Sequence, residues 1–386
     1  MQLPGGMPVA TFLRDYWQKK PLVIRGAFPG FECPVSPEEL AGLACEEAVE
    51  SRLVIELEDG KPWQLHNGPF DPRHFEQLPT GPWTLLVQGL DHWVPDIADL
   101  LEHFRFIPNW RLDDIMASFA PPGGSVGPHY DQYDVFLLQA QGRRRWQFGG
   151  NHDASSPRVD GTPLRILKAP HWDEDVILEP GDMLYLPPAI GHHGVALDDC
   201  ITLSIGFRAP TQDDLLTSYT DYLSSQPGAD RHLNDPDLQP QTNPGEISPA
   251  AIERLQRLIA ESMNDPRQLG LWFGQYATSP KNEDIVQPAE EPIPPAELYE
   301  QLASGGQLRW NEGSRFAWHA LGPEELALFV DGERYLLNGD ACPLAALLCE
   351  GNRVSSAPLL ALLADTTLCE LIAHLHNQGS VYIEWD

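Results

Sequence analysis

The chain has 386 residues, 42% of them hydrophobic, and its 56 acidic against 25 basic residues give a formal charge of −31. The length and apolar content predict two or three domains with ample cores. The charge argues against direct binding to nucleic acid, because a strongly negative surface repels phosphate. It suits a basic protein partner, although a charge surplus also serves solubility alone.

The six cysteines lie at positions 33, 45, 200, 342, 349 and 369, without a Cys-x-x-Cys pair. Neither a zinc site nor a disulfide framework is indicated, and reduced thiols are typical of a cytoplasmic protein. The N-terminus lacks a signal-peptide pattern, and no run approaches the roughly 20 apolar residues of a membrane span. We therefore expect a soluble, cytoplasmic protein with no membrane contact.

The first predicted elements precede a barrel. Residues 36–39, Ser-Pro-Glu-Glu, form a good helix start, with proline at the first helical position and a capping-box glutamate. Residues 83–89 predict a strand and residues 96–106 an amphipathic helix. Residues 111–208 then have a strand-like pattern, which predicts the barrel itself.

His129 and Asp131 are candidate metal ligands within this barrel. Residues i and i+2 of a strand face the same side, so the pair can present an imidazole and a carboxylate together. His192, on a later turn that carries Pro187 and Pro188, would add a second imidazole. Two histidines and one carboxylate on one side of a metal are the ligand set of non-haem Fe(II) oxygenases. The sequence therefore favours an oxygen-activating enzyme.

Two other segments share the His-x-acid form, His74-Phe-Glu76 and His171-Trp-Asp173. The first lies in a short helical stretch, where i and i+2 diverge. The second stands close before His192, at the entry to a short strand-turn-strand. His129 is preferred because it follows the Gly-rich turn at 121–128 and precedes the apolar run at 135–138, which predicts a barrel strand.

Several segments resemble a known family. Residues 179–206 resemble the end of the JmjC and cupin-like iron and 2-oxoglutarate oxygenases, in which the metal histidine stands four residues after the second proline. This selects His192 over His193, since neighbours in an extended segment face opposite sides. A narrower group, the bacterial ribosomal oxygenases, hydroxylates the β-carbon of an arginine in the sixteenth protein of the large ribosomal subunit. The segments that resemble this group are residues 113–119, 127–136, 142–146 and 206–210, and residues 12–26 resemble the helix and strand that precede a JmjC barrel.

The resemblance implies a mainly β catalytic core, a double-stranded β-helix of the JmjC and cupin-like jelly-roll type, with α+β additions. The implied domains are the catalytic domain at residues 1–210, a helical dimerisation region at 211–279, an acidic, proline-rich linker at 280–295 and a winged-helix-like domain at 296–386. It also implies Fe(II), 2-oxoglutarate and O2 as cofactor and cosubstrates. The implied partners are a basic large-subunit ribosomal protein as substrate and a second copy of the chain in a homodimer.

Arg144 is the candidate for binding 2-oxoglutarate. The run Arg143-Arg-Arg145 alternates faces, so Arg144 points inward if its neighbours are solvated. A buried guanidinium needs an anion, and its forked shape pairs well with a carboxylate. In the family, the equivalent arginine holds the distal carboxylate of 2-oxoglutarate and the residue matching Ser118 assists it. A structural ion pair for Arg144 and a plain strand hydroxyl for Ser118 are the alternatives.

Four residues match family positions that line the pocket for the substrate arginine: Asp114, Met116, Tyr133 and Ser204. Asp114, Met116 and Ser118 share one face of a predicted strand, and His129, Asp131 and Tyr133 share a face of another. A carboxylate at the pocket mouth suits an entering guanidinium. Met116 and Tyr133 fit equally well as ordinary barrel filling.

Beyond residue 210 the pattern becomes helical. Residues 213–225 and 249–263 place leucines and isoleucines at three- and four-residue spacing, and Trp272, Phe273 and Tyr276 add an apolar face. In the family such helices form the dimer interface; packing within one chain is the alternative. From residue 297 onward a hairpin is predicted to turn at Asp331-Gly332. Four arginines, no lysine and 13 acidic residues in this part argue against DNA binding by a winged helix.

Two further functions stay open. The same oxygenase chemistry can serve a histidyl hydroxylase or a demethylase, because eukaryotic relatives of this architecture hydroxylate histidine, although the acidic Asp114 favours arginine. A non-enzymatic cupin-like module, whose metal only stabilises the fold, is the other. Such a module has no use for a buried Arg144.

Overall fold

The computed structural model describes residues 1–57, 63–78, 81–281 and 285–385. The chain divides into two compact units. The first comprises residues 1–209, a part of the linker that ends at Gln287, and residues 309–313. The second comprises residues 210–281, 288–308 and 314–386.

The first unit is built mainly of strands. Its elements are α1 (Val9–Asp15), β1 (Leu22–Ile24), α2 (Pro37–Leu43), β2 (Ser51–Ile55), β3 (Gln64–Asn67), α3 (Arg73–Glu76), β4 (Trp83–Val87), α4 (Pro95–Ala98), β5 (Leu112–Ala120), β6 (Val135–Gln141), β7 (Arg144–Asn151), β8 (Glu174–Leu178), β9 (Met183–Leu186), β10 (Ile190–Ala196) and β11 (Cys200–Phe207). The larger sheet has the order β1-β9-β6-β11-β5-β4-β2-β3 and the smaller β10-β7-β8. Adjacent strands are antiparallel throughout. The predicted jelly-roll core is confirmed.

Strand β5 shows how the larger sheet positions a site. Ile115 and Ala117 are buried in the main hydrophobic core, together with Phe12 of helix α1. Side chains alternate along a strand, so Asp114, Met116 and Ser118 face the opposite side of the sheet. That side lines a cavity between the two sheets.

The N-terminal helices differ in part from expectation. Helix α2 has the predicted capping box, with Ser36 and Glu39 each accepting a backbone hydrogen bond from the other. The predicted helix at 96–106 instead divides into α4 and a 3-10 helix at Asp99–Phe104. Leu100 and Phe104 of this segment are still buried, whereas Leu101 and Phe106 are half-buried.

After residue 209 the chain is mainly helical. Its elements are α5 (Gln212–Ser225), α6 (Pro249–Met263), α7 (Pro266–Thr278), α8 (Pro295–Ala303), β12 (Gln307–Trp310), β13 (Phe316–Gly322), β14 (Glu325–Val330), β15 (Glu333–Asn338), α9 (Cys342–Leu348), α10 (Ser356–Leu362), α11 (Thr366–Asn377) and β16 (Val381–Glu384). The predicted hairpin turns at Asp331 and Gly332, whose φ angles of 50° and 85° are those of a tight hairpin turn. Within the described ranges, no helix combines the length and the apolar character that a membrane crossing requires.

Helix α7 packs against the sheet of β13, β14 and β15 in the second unit. Two glycines one helical turn apart permit this approach: a Cβ on Gly270 would lie 2.4 Å from His319, and one on Gly274 would lie 2.2 Å from Phe329. The helical segment and the C-terminal segment therefore share one compact unit. The four-domain division with borders at 210, 279 and 295 stays a prediction.

Candidate active site

The three predicted metal ligands converge in the first unit. One ligand atom from each of His129, Asp131 and His192 lies within 4.8 Å of the other two. The Nε2 atom of His192 is 3.6 Å from Oδ2 of Asp131, and the His192 side chain is 3% exposed. Among the residues with described positions, no other group of three histidine, cysteine or acidic side chains meets this spacing.

Backbone hydrogen bonds bring the two ligand segments together. The amide of His129 donates to the carbonyl of His192 at 3.0 Å, and the amide of His192 donates back at 2.8 Å. The amide of Ala189 donates to the carbonyl of Asp131 at 2.7 Å. The strand predicted for residues 129–133 is absent from these positions, because only this single bridge forms before β6 begins at Val135. The ligands converge because two distant segments of the same chain pair through their backbones, and not because side chains alternate along one strand.

The hydrogen bonds of both imidazoles determine which nitrogen can bind a metal. Nδ1 of His129 lies 2.9 Å from the carbonyl oxygen of Gly127, and Nδ1 of His192 lies 3.1 Å from that of Ile190. A carbonyl only accepts, so each Nδ1 carries the proton and each Nε2 keeps its lone pair.

The charge state of the site also suits a metal. Burial, together with the neighbouring His129, lowers the pKa of His192 to about 4. The His192 imidazole is therefore neutral near pH 7, as a metal ligand must be. Two imidazole nitrogens and a carboxylate oxygen fit Fe(II).

The competing His-x-acid segments form no such group. The second has exposed side chains, 84% for His171 and 62% for Asp173, with 3.5 Å between them. His74 lies in helix α3, as expected. His193 points away from the ligand cluster and stacks on Trp172 with 6.3 Å between ring centroids.

Arg144 is buried, as the alternation of its neighbours predicts. It is 4% exposed, whereas the side chains of Arg143 and Arg145 are 52% and 49% exposed and pair with aspartates on the surface. Its Nη1 donates to Oγ of Ser118 at 3.0 Å. Its Nε and Nη2 are buried and have no hydrogen-bond partner among the described residues. Arg144 forms no structural ion pair with any residue whose position is described, so its guanidinium is suited to bind a carboxylate.

All the predicted site residues line one cavity of about 450 Å³. They are His129, Asp131, His192, Ser118, Arg144, Asp114, Met116, Tyr133 and Ser204. Tyr133 is 42% exposed; loss of hydration around its hydroxyl raises its pKa, and the carboxylates of Asp131 and Asp114 add to this effect. The cavity thus combines a metal-ligand cluster, an anion-binding arginine and a separate buried carboxylate.

The sequence analysis missed several residues of this cavity. Gln88 donates to Asp114 and accepts from Arg52. Its inward direction follows from the strand register, because Leu86 of β4 pairs with Ser118 and Gln88 lies two residues further on. Trp146, in contrast, was deducible from the sequence, because it lies two residues after Arg144 and takes the same face of a strand.

The segment between β7 and β8 also contributes to the cavity, and no signal in the sequence indicates it. Arg158 and Arg165 are among its cavity residues. Nη2 of Arg158 donates to the hydroxyl of Tyr130 at 3.2 Å, and Tyr130 stands between two of the metal ligands in the sequence. The segment has neither alternation nor helical periodicity, so its path depends on tertiary contacts.

Two family models match the chain. One describes a JmjC domain and matches residues 99–215, which include the candidate site. The other describes a ROXA-like winged helix and matches residues 261–382, so it begins within helix α6.

The chain is similar to several known proteins. It is 36% identical over 375 residues to the ribosomal protein uL16 3-hydroxylase of Escherichia coli, with 97% of each chain covered. The solved structure of YcfD, a ribosomal oxygenase from Escherichia coli in complex with cobalt and 2-oxoglutarate, covers 100% of this chain and 99% of its own at 34% identity, with a TM-score of 0.87. A bifunctional lysine-specific demethylase and histidyl-hydroxylase NO66 from Aedes aegypti is 25% identical over 257 residues, 59% of this chain and 37% of that protein. The chain therefore belongs to the JmjC-type ribosomal oxygenase family, whose members are 2-oxoglutarate-dependent dioxygenases.

Proposed function

We propose that the chain is an Fe(II)- and 2-oxoglutarate-dependent protein hydroxylase that adds a hydroxyl group to the β-carbon of an arginine in a basic large-subunit ribosomal protein. The observation that carries this proposal is the shared cavity of the His129, Asp131 and His192 cluster and the buried Arg144. The similar Escherichia coli protein is named for hydroxylation of a ribosomal protein.

Different residues of the cavity would bind the iron and the 2-oxoglutarate. His129, Asp131 and His192 would hold the iron, which with 2-oxoglutarate and O2 supplies the oxidising chemistry when bound. Arg144 and Ser118 would hold the distal carboxylate of 2-oxoglutarate, since two N–H groups of the guanidinium lack partners. The enclosing sheets limit the access of water to the reacting groups.

The remaining polar wall is suited to a cationic substrate side chain. Asp114 is 5% exposed and is hydrogen-bonded to Gln88, so its carboxylate is oriented before any substrate arrives. A guanidinium in a partly dry cavity gains most from such a charged acceptor. Met116, Tyr133 and Ser204 would complete the substrate pocket.

A histidyl hydroxylase or demethylase is the second candidate, and the similarity to the NO66 protein favours it. A histidine side chain needs neutral acceptors, which makes Asp114 less suitable for it than for arginine. A non-enzymatic metal-binding module is less well supported, because the buried N–H groups of Arg144 would stay without a function.

An exposed apolar face of helix α6 supports the prediction of a homodimer. Ile252, Leu255 and Ile259 are 42%, 42% and 48% exposed, and their spacing places them on one helix face. The helix has no buried residue. We propose that this face covers its counterpart in a second copy of the chain.

The charge of −31 supports a basic protein partner and no direct binding to nucleic acid. A ribosomal protein that is met before its assembly would place the enzyme in the cytoplasm. The expected location follows from the proposed substrate, whereas the expected partner is supported by the charge.

Mass spectrometry tests the substrate. Purified protein with Fe(II), 2-oxoglutarate and a panel of peptides from basic large-subunit ribosomal proteins should add the mass of one oxygen atom to a single arginine. The panel should include histidine and methyl-lysine peptides, since modification of those instead would favour the second candidate. His192→Ala should abolish the product, whereas His171→Ala, which changes an exposed histidine outside the cluster, should retain it. Absence of any product and of any 2-oxoglutarate turnover would leave only the metal-binding module.

A further inference from the structure

We propose that Trp146 is an additional binding residue for 2-oxoglutarate, whose indole Nε1–H donates a hydrogen bond to the carboxylate that Arg144 binds. The inference rests on the proposed function. It concerns a residue outside the predicted set of ligands, anchors and substrate contacts.

The first observation is an unpaired donor. Trp146 is 5% exposed, lines the cavity, and its buried Nε1 atom has no hydrogen-bond partner among the described residues. A buried indole N–H normally finds a partner, because leaving it unpaired is unfavourable. A ligand in the cavity would supply the missing acceptor.

The second observation is the position of the indole. Trp146 lies on β7 two residues after Arg144, so both side chains share one face of the strand. Its ring centroid is 5.8 Å from the guanidinium carbon of Arg144 and 6.1 Å from the ring centroid of His192. The indole therefore lies near both Arg144 and one of the metal ligands.

The third observation is the space made for the ring. Gly194 of β10 pairs directly with Trp146, and a Cβ there would lie 2.7 to 2.9 Å from three atoms of the indole. Any other residue at 194 would displace the ring. The glycine therefore allows the indole to lie in its observed position.

The donors match the acceptor capacity of a carboxylate. Its two oxygens can accept about four hydrogen bonds. Arg144 offers Nε and Nη2, and Trp146 offers Nε1, all without partners among the described residues. Arg158, another cavity residue with an unpaired Nε, already donates to Tyr130.

Binding measurements with zinc in place of iron test the proposal without turnover. Trp146→Phe keeps an aromatic ring beside Arg144 and removes only the N–H donor. In ¹⁵N-labelled wild-type protein, one indole N–H resonance should move downfield when 2-oxoglutarate is added, and this resonance should be missing from Trp146→Phe. Calorimetry should show that the variant binds 2-oxoglutarate about tenfold more weakly, as expected for the loss of a charge-assisted hydrogen bond.

Trp172→Phe is the matched control, since Trp172 stacks on His193 and does not line the cavity. It should bind 2-oxoglutarate with the affinity of the wild type. If Trp146→Phe does not fold, Trp146→Leu provides the same assignment and the same loss of the donor.

The outcomes separate this inference from the proposed function. Failure of wild-type protein to bind 2-oxoglutarate would overturn the proposed function itself. Equal binding by wild type and Trp146→Phe, with the Trp146 resonance unmoved, would overturn the role of Trp146 and leave the proposed function standing.

Discussion

Nε2 of Gln88 donates a 2.7 Å hydrogen bond to Oδ2 of the buried Asp114. The carbonyl oxygen of the same amide accepts from Nη2 of Arg52 at 3.1 Å, which fixes the orientation of the amide. These contacts hold one carboxylate oxygen of Asp114 in place. Under the proposed function, the carboxylate would accept hydrogen bonds from a cationic side chain.

Asp114→Asn should therefore weaken substrate binding. The loss of a charge-assisted hydrogen bond of about 1.5–3 kcal/mol should raise the KM for an arginine-containing peptide by about 10- to 100-fold. The affinity for 2-oxoglutarate should change little, because Arg144 and Ser118 occupy a different part of the cavity wall. Steady-state kinetics with each substrate varied in turn measures both effects.

The control for this substitution is Asp113→Asn, which removes the same charge one residue away. Asp113 does not line the cavity, and its Oδ1 lies 3.4 Å from Nε of Arg208. Equal effects of the two substitutions on peptide KM would mean that net charge, and not a contact with Asp114, attracts the substrate.

Arg144→Ala should impair the use of 2-oxoglutarate. It removes the guanidinium of a cavity residue whose Nε and Nη2 lack partners among the described residues, so the KM for 2-oxoglutarate should rise about 100-fold or more. Arg145→Ala removes a neighbouring exposed arginine that pairs with Asp175 and should leave this KM within about twofold of the wild type. A KM for 2-oxoglutarate that is unchanged in Arg144→Ala would mean that Arg144 does not bind this cosubstrate.

The direction of Arg144 could be predicted because strand alternation depends only on local geometry. Two solvated arginines on either side determine which face it takes, and the strand β7 formed as expected. His129 and Asp131 also converge as predicted, but for another reason. Their convergence comes from backbone pairing with residues of the His192 segment, which no local pattern encodes.

Other parts of the fold and of the site could not be predicted from local sequence patterns. The 3-10 helix at Asp99–Phe104 buries Leu100 and Phe104, so the periodicity was informative about burial but wrong about the backbone of these residues. Gln88 gains its role from a register between β4 and β5 that the sequence does not specify. The path of Arg158 toward Tyr130 depends on a long irregular segment, where tertiary contacts outweigh local propensity.

Metal binding should stabilise the protein through the proposed ligands. Mn(II) at about 100 times its Kd should raise the free energy of unfolding by about 2.7 kcal/mol, if it binds only the folded state. Asp131→Ala should lose this gain, whereas Asp173→Ala, which alters an exposed aspartate, should keep it. Thermal unfolding with and without Mn(II) measures the difference, and a metal-induced rise in Tm in Asp131→Ala would exclude Asp131 as a ligand.

The exposed face of α6 gives a prediction about assembly. A double substitution, Leu255→Glu with Ile259→Glu, should convert the dimer to a monomer, because it places charges in an apolar contact. Arg257→Glu, an exposed position on the same helix between the two, adds charge outside that apolar face and should leave the dimer intact. Light scattering after gel filtration reports the mass; a wild type that is monomeric at high protein concentration would refute the interface.

Asp134 anchors the segment that follows the metal ligands. Its side chain is fully buried and accepts hydrogen bonds from the Tyr185 hydroxyl at 2.6 Å, from Nε2 of Gln18 at 2.9 Å and from Nη2 of Arg111 at 3.1 Å. Asp134→Ala should lower the free energy of unfolding by about 3–5 kcal/mol, because it leaves the partly buried Arg111 without its carboxylate. Tyr185→Phe removes one donor and should lower it by about 1.5–3 kcal/mol.

Asp198→Ala provides the comparison for Asp134→Ala, since Asp198 forms a surface pair with Arg143 in which both side chains are more than 40% exposed. Its loss should cost about 0–1 kcal/mol, because water already solvates both charges. Chemical denaturation of the three variants ranks them directly. If Asp134→Ala and Asp198→Ala lose similar amounts of stability, the buried network contributes no more than a surface ion pair, and the segment between the metal ligands and β6 must be held by its backbone hydrogen bonds alone.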